Sequence, residues 1–115
     1  MRRDLERLQD ILEAIDRIQQ QTSRGRVAFD GEPLVQVWVV HHLEIVGEAC
    51  RGLSHDLRSR HPETPWSAII GMRNILIHDY FGLNLEEVWA AVERDLPVLQ
   101  RQVAAMLEVE RQSSE

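Results

Sequence analysis

The sequence predicts an all-α protein, an antiparallel four-helix bundle. Apolar residues recur at helical spacing in four separate stretches. Helix-start signals stand in front of the later ones. No strand-like alternation, internal repeat or low-complexity run intervenes, and the connections are mostly short.

Each element can be justified in turn. Leu5, Leu8, Ile11, Leu12, Ile15 and Ile18 give the first helix one apolar face over about residues 4–22. Residues 23–31 carry Gly25 and Gly31 and read as a loop. The second helix runs from about Glu32 to Gly52, with Pro33 in its first turn. At about 100° per residue, Leu34, Trp38, Ile45 and Ala49 share one sector. Val35, Val39, Leu43, Val46 and Cys50 fill the adjoining one. This arc covers roughly half the circumference, wider than the stripe of an ordinary surface helix. Such a helix sits centrally or offers a second apolar surface to a partner.

Ser54 can cap a short helical turn before Pro62. Thr64 as cap and Pro65 at the first helical position start a third helix that reaches about Asp79. Asn84 with Glu87 three residues on has the form of a capping box. It starts a fourth helix over about 85–110, and Pro97 inside that helix is expected to kink it.

The 115 residues are expected to form one domain, 1–115. With 43% hydrophobic and 28% charged residues, the composition is that of a soluble globular protein. No apolar run has the length of a membrane span. The start, MRRDLERLQD, lacks the apolar core of a signal peptide, so a cytoplasmic location is expected. The single Cys50 excludes an internal disulfide and a four-cysteine zinc site, and it reads as buried filler. The net charge of -6 opposes broad electrostatic binding of nucleic acid. All 13 basic residues are Arg, however, the better side chain for bidentate contact with phosphate. Arg51, Arg58 and Arg60, with His55 and His61, concentrate in one segment, so a local basic surface on an acidic protein is expected.

The third helix carries a charge in an unusual place. Trp66, Ile70 and Ile77 lie within about 60° of Arg73 on one side of the wheel. Ile69, Met72 and Leu76 lie on the other. A guanidinium in the middle of an apolar arc is costly unless paired or hydrogen-bonded. Glu48 and Glu44 of the second helix are the candidates to compensate it, although Glu48 also stands three residues before Arg51. A second face carries Ser67, Gly71, Asn74 and His78. Gly71 is expected to let another backbone come close. Asn74 and His78 are one turn apart beside Arg73. Such a cluster suits a phosphate, because Arg gives fixed charge and His titrates near neutral pH. His41-His42 diverge by about 100° on a helix and His78-Asp79 has no ligand spacing, so no metal site is expected. Trp38, Trp66 and Trp89 are expected to be core anchors.

The string Arg73-Asn74-Ile75-Leu76-Ile77-His78-Asp79-Tyr80 has the form R-x4-H-x-Y. It resembles the signature of HepT-like proteins in the HEPN superfamily. Ile45-Val46-Gly47-Glu48-Ala49, then Pro65-Trp66 through Arg73-Asn74, then Val88-Trp89 resemble further family landmarks in the expected order. The resemblance covers nearly the whole chain. It implies a HEPN bundle that forms a homodimer with two copies of the motif in a shared cleft. It also implies an endoribonuclease toxin of the type VII toxin–antitoxin kind that needs no metal or other cofactor. Arg73 and His78 would be the catalytic pair, with Asn74 and Glu48 in support. The partner implied is a cognate MntA-type minimal nucleotidyltransferase antitoxin that adds AMP to Tyr80. The substrate is RNA, tRNA being one candidate, and no membrane is involved.

The chemistry needs these residue types. When a ribose 2′-OH attacks the adjacent phosphorus, a base removes its proton and an acid protonates the leaving 5′ oxygen, with a 2′,3′-cyclic phosphate as product. His can do both jobs, and positioned acid–base catalysis contributes about 10²–10⁴-fold. Arg neutralises charge building on the phosphoryl oxygens. A second expectation is a non-catalytic HEPN adaptor that binds nucleotide or substrate for a partner nucleotidyltransferase. The net acidity favours that reading, whereas the intact Arg73/His78 pair favours the enzyme.

Overall fold

The first helix forms as α1, Arg2–Thr22, in a computed structural model that describes residues 2–78 and 82–114 of the chain. Leu8, Ile11, Ile15 and Ile18 on its inner face have no exposed surface. Each such side chain contributes about 1.5–3 kcal/mol relative to leaving it in water. The expected loop after it contains one short helix, α2, Arg26–Gly31. Gly25 reaches it with φ 95, a left-handed conformation that a glycine adopts freely. Arg26 Nε donates to Asp30 one turn on, and Phe29 is fully buried against the ring of Trp89, with centroids 5.3 Å apart. Six residues are too few to show a period, so the two glycines dominated the pattern.

The second expected helix is α3, Pro33–Gly52, with Pro33 in its first turn. It packs along α1 on one flank and along the third long helix on the other. Its broad apolar arc is thereby split. Val39, Leu43, Val46 and Cys50 enter the core, whereas Leu34 and Val37 stay exposed and Trp38 remains 39% exposed. Trp38 lies over α1 and donates Nε1–H to the carbonyl of Arg17 at 2.9 Å. Burial pushes the Cys50 thiol up to about 12, against the opposing pull of nearby Arg58.

Ser54 does cap a short helix, α4, His55–Arg60, by accepting from the Leu57 N–H at 3.1 Å. Buried Asp4 of α1 locks this corner. Its carboxylate accepts from the Ser54 N–H at 2.9 Å and from the Ser54 hydroxyl at 2.6 Å. The third long helix is α5, Trp66–His78. Trp66 is buried and donates Nε1–H to the His61 carbonyl at 2.9 Å.

Asn84 caps α6, Leu85–Ala90, accepting from the Glu86 and Glu87 N–H groups at 2.9 and 3.3 Å. A π-helical turn over Ala91–Asp95 follows, and then α7, Leu96–Ser114. The irregularity expected at Pro97 takes this form. The Leu96 N–H bonds the Ala91 carbonyl five residues back, one step before proline. Pro97 then falls in the first turn of α7, where a missing N–H costs least.

The architecture is thus the expected all-α bundle of four long helical segments, with no strand among the described residues. α1 is the centre, with α3 and α7 laid along it. α5 packs on α3, and Trp66 and Leu76 are its buried side chains. The helix carrying the candidate site therefore rests on one neighbour and leaves much of its surface open. No helix among the described residues is long and apolar enough to cross a membrane.

Candidate active site

The site begins with a glycine. A Cβ built on Gly47 of α3 would lie 2.2 Å from Arg73 Cβ and 2.9 Å from Arg73 Cγ. No side chain fits there, so the stem of Arg73 lies directly on the α3 backbone. That contact carries the arginine head across to α3. Arg73 Nη2 sits 2.8 Å from Glu48 Oε2, and Nη1 donates to Asn74 Oδ1 at 3.0 Å. Nε is buried and has no acceptor. The side chain of Arg73 is 19% exposed.

The compensating acid for the misplaced charge is thus Glu48, one of the two expected; Arg73 forms no ion pair with Glu44 among the described residues. The same Glu48 oxygen lies 3.9 Å from Arg51 Nη1, so the local i, i+3 pair and the pair between helices coexist on one carboxylate. Glu48 is half exposed, and a pair of this kind orients a side chain more than it stabilises a fold.

Asn74 is exposed and holds one edge of the guanidinium. His78 is the last residue of α5 and is also exposed. It follows Arg73 by five residues, about 7.5 Å along the axis and about 140° around it. No hydrogen bond joins the two side chains. Within one chain, Arg73 turns toward α3 while His78 turns toward solvent beside Asn74. Tyr80 lies outside the described residues, as do Asp79 and Phe81.

Three expectations change. Gly71 has nothing within 4 Å of its would-be Cβ and faces open space, so the close approach belongs to Gly47 instead. A wheel gives the direction of a residue but not whether a neighbour stands there. In the sequence Gly47 stands next to Glu48 within Ile45–Ala49, and a mid-helix glycine beside a candidate partner is the available signal. The basic segment is also partly neutralised. Arg60 pairs with Asp56 and with Glu110, the latter at 2.6 Å. His61 Nε2 lies 3.1 Å from the other Glu110 oxygen. Burial would raise the Glu110 carboxyl, but hydrogen bonds from His61 and Arg60 outweigh it and hold the group below its ordinary value. Of the tryptophans, Trp66 is a core anchor and Trp89 is partly buried, while Trp38 is partly solvent-facing.

The chain is an all-helical bundle with an Arg-Asn pair docked on a neighbouring helix and an exposed histidine at the end of the same helix. Comparison with known proteins gives its family. Residues 11–106 match the family described as Ribonuclease HepT-like. A relative from Caldanaerobacter subterraneus subsp. tengcongensis that carries the name of an RNase is 39% identical over 83 residues, which are 72% of this chain and 74% of the relative. A relative from Thermococcus cleftensis named for ribonuclease HepT is 38% identical over 95 residues, 80% of this chain and 84% of its own. A third, from Methanocaldococcus jannaschii and also named an RNase, is 39% identical over 75 residues, 65% of this chain and 69% of its own. No solved structure matches the chain. The chain belongs to the ribonuclease HepT-like family, within the HEPN group.

Proposed function

We propose that this protein is a metal-independent endoribonuclease toxin of a type VII toxin–antitoxin system, one domain over 1–115, acting in the cytoplasm as a homodimer. The observation that carries the reading is the placement of Arg73. A charged head is brought to the surface of α3 by a glycine contact and fixed by Glu48 and Asn74, one turn from an exposed histidine. A fold needs no such arrangement, but a phosphoryl group does.

Because Arg73 and His78 diverge within one chain, the proposed site takes groups from two chains. Leu34, Val37 and Trp38 of α3 and Ile77 of α5 leave apolar surface exposed on the helices that carry Glu48 and Arg73. That surface is the proposed seam. His78 of one protomer takes the proton of the attacking 2′-OH. The P–O5′ bond breaks as the new P–O2′ bond forms, and the partner's His78 protonates the departing 5′ oxygen. Arg73 neutralises the phosphoryl oxygens and Asn74 holds Arg73. The products are a 2′,3′-cyclic phosphate and a 5′-hydroxyl.

Control is proposed to come from a nucleotidyltransferase antitoxin that adds AMP to Tyr80, two residues beyond His78. The added phosphate brings negative charge to the proposed site and would compete with substrate. Expression without the partner should arrest growth, and a folded His78→Ala protein should not. Undiminished toxicity of His78→Ala would remove the nuclease assignment. The adaptor reading has one observation in its favour, that Arg73 already holds a carboxylate at rest. It predicts growth arrest by neither protein.

A further inference from the structure

We propose that Arg7 and Arg51 join Arg73 in a phosphate-binding track across α3 that grips the RNA backbone beside the scissile bond. The inference rests on the ribonuclease reading above and names the part of the chain that holds the substrate strand.

α3 has two glycines in its second half, and an arginine from a flanking helix lies on each. Arg73 of α5 lies on Gly47. Arg7 of α1 lies on Gly52, where an added Cβ would stand 2.1 Å from Arg7 Nη1 and 2.3 Å from Arg7 Cζ. The two glycines are five residues apart, about 7.5 Å along the helix. Between them stand Glu48 and Arg51. One oxygen of Glu48 meets both Arg73 at 2.8 Å and Arg51 at 3.9 Å. Those two guanidinium groups are therefore close enough for one phosphate to bridge. Three helices thus bring three guanidinium groups to a stretch of a little more than one turn, two of them sharing the Glu48 carboxylate and the third, Arg7, lying over Gly52.

This arrangement differs from the arginines that pair one-to-one elsewhere, such as Arg17 with Glu13 or Arg24 with Glu32. Arg7 has no carboxylate within ion-pair distance among the described residues. Arg51 is 59% exposed and only loosely held. The track therefore sets three positive charges against the single Glu48 carboxylate. In a chain of net charge -6, such local excess is what an RNA backbone can use. Guanidinium groups suit it because each can engage two phosphate oxygens at once.

The test uses the whole protein and a single-stranded RNA oligonucleotide with 2′-O-methyl riboses, which binds but has no 2′-hydroxyl to attack. Fluorescence anisotropy is followed over a salt series. Arg51→Ala and Arg7→Gln should each weaken binding about tenfold, the loss of one charge-assisted contact. Each should lower the slope of log K against log salt by about 0.7, one single-strand phosphate contact. Arg51→Glu, at an exposed position that leaves packing intact, should weaken binding further. With cleavable RNA the loss should appear chiefly in KM. Arg17→Ala should bind like the unaltered protein. Arg51 and Arg7 variants with unaltered affinity and slope would overturn the proposal. So would an equal loss in Arg17→Ala, or binding of an acidic protein but not of the oligonucleotide. If the nuclease reading alone is wrong, cleavable RNA stays intact while the oligonucleotide results still stand.

Discussion

The same substitution at two glycines should have opposite effects. At Gly47 the new methyl would meet Arg73 Cβ at 2.2 Å, against the 3.4 Å at which ordinary contact begins. The obstacle is the stem of Arg73, close to its own backbone, so it cannot swing aside. α5 must retreat by about 1.2 Å at the point where it carries Arg73. Overpacking of this kind costs about 1–3 kcal/mol. For a domain of this size that lowers Tm by roughly 4–12 °C. At Gly71 the methyl meets nothing within 4 Å. The gain is then the helix-propensity difference, about 0.8–1 kcal/mol in favour of alanine. Gly71→Ala should raise Tm by a few degrees. Function should separate the two further. A misplacement near 1 Å can cost about 10²-fold in rate, so Gly47→Ala should cut RNA cleavage by about that factor while remaining folded. Thermal melting by circular dichroism, paired with a cleavage assay, reads both. Gly47→Ala with unaltered Tm and rate would refute the argument that Arg73 is seated on the α3 backbone.

Other outcomes follow from the fold. Ser54→Ala removes the cap of α4 and leaves the buried Asp4 carboxylate without its 2.6 Å donor, so chemical denaturation should show a loss of about 1–3 kcal/mol. Glu110 is held below its ordinary value of 4.5 by His61 and Arg60, against burial. A depressed carboxyl stabilises above its unfolded value and loses that contribution as pH falls through the folded one. Melting curves should therefore drop below about pH 4.5, and Glu110→Gln should flatten that drop. Cys50, buried with its thiol pushed up to about 12, should resist thiol reagents at pH 8 in the folded protein and react once denaturant unfolds it.

Much of this was legible in the sequence for physical reasons. Long helices announce themselves through period and cap, so α1, α3 and the starts at Thr64-Pro65 and Asn84 were readable. Arg73 was readable as an anomaly because a charge amid Ile69, Ile70, Leu76 and Ile77 has to be answered, and Glu48 was one of two groups able to answer it. What escaped needed packing. α2 is too short for a period. The π-turn lies ahead of the proline that signals it. Gly47 and Gly71 look alike on a wheel, and the difference is that α5 has a neighbour on one flank and solvent on the other. The partition of α3 between core and exposed surface had the same cause.

The most direct test is end-group analysis of RNA treated with the purified protein in the presence of a chelator, compared with folded Arg73→Ala and His78→Ala proteins. The account predicts 2′,3′-cyclic phosphate and 5′-hydroxyl ends from the unaltered protein and intact RNA from both variants. Cleavage by His78→Ala at the unaltered rate, or cleavage that stops with the chelator, would contradict it.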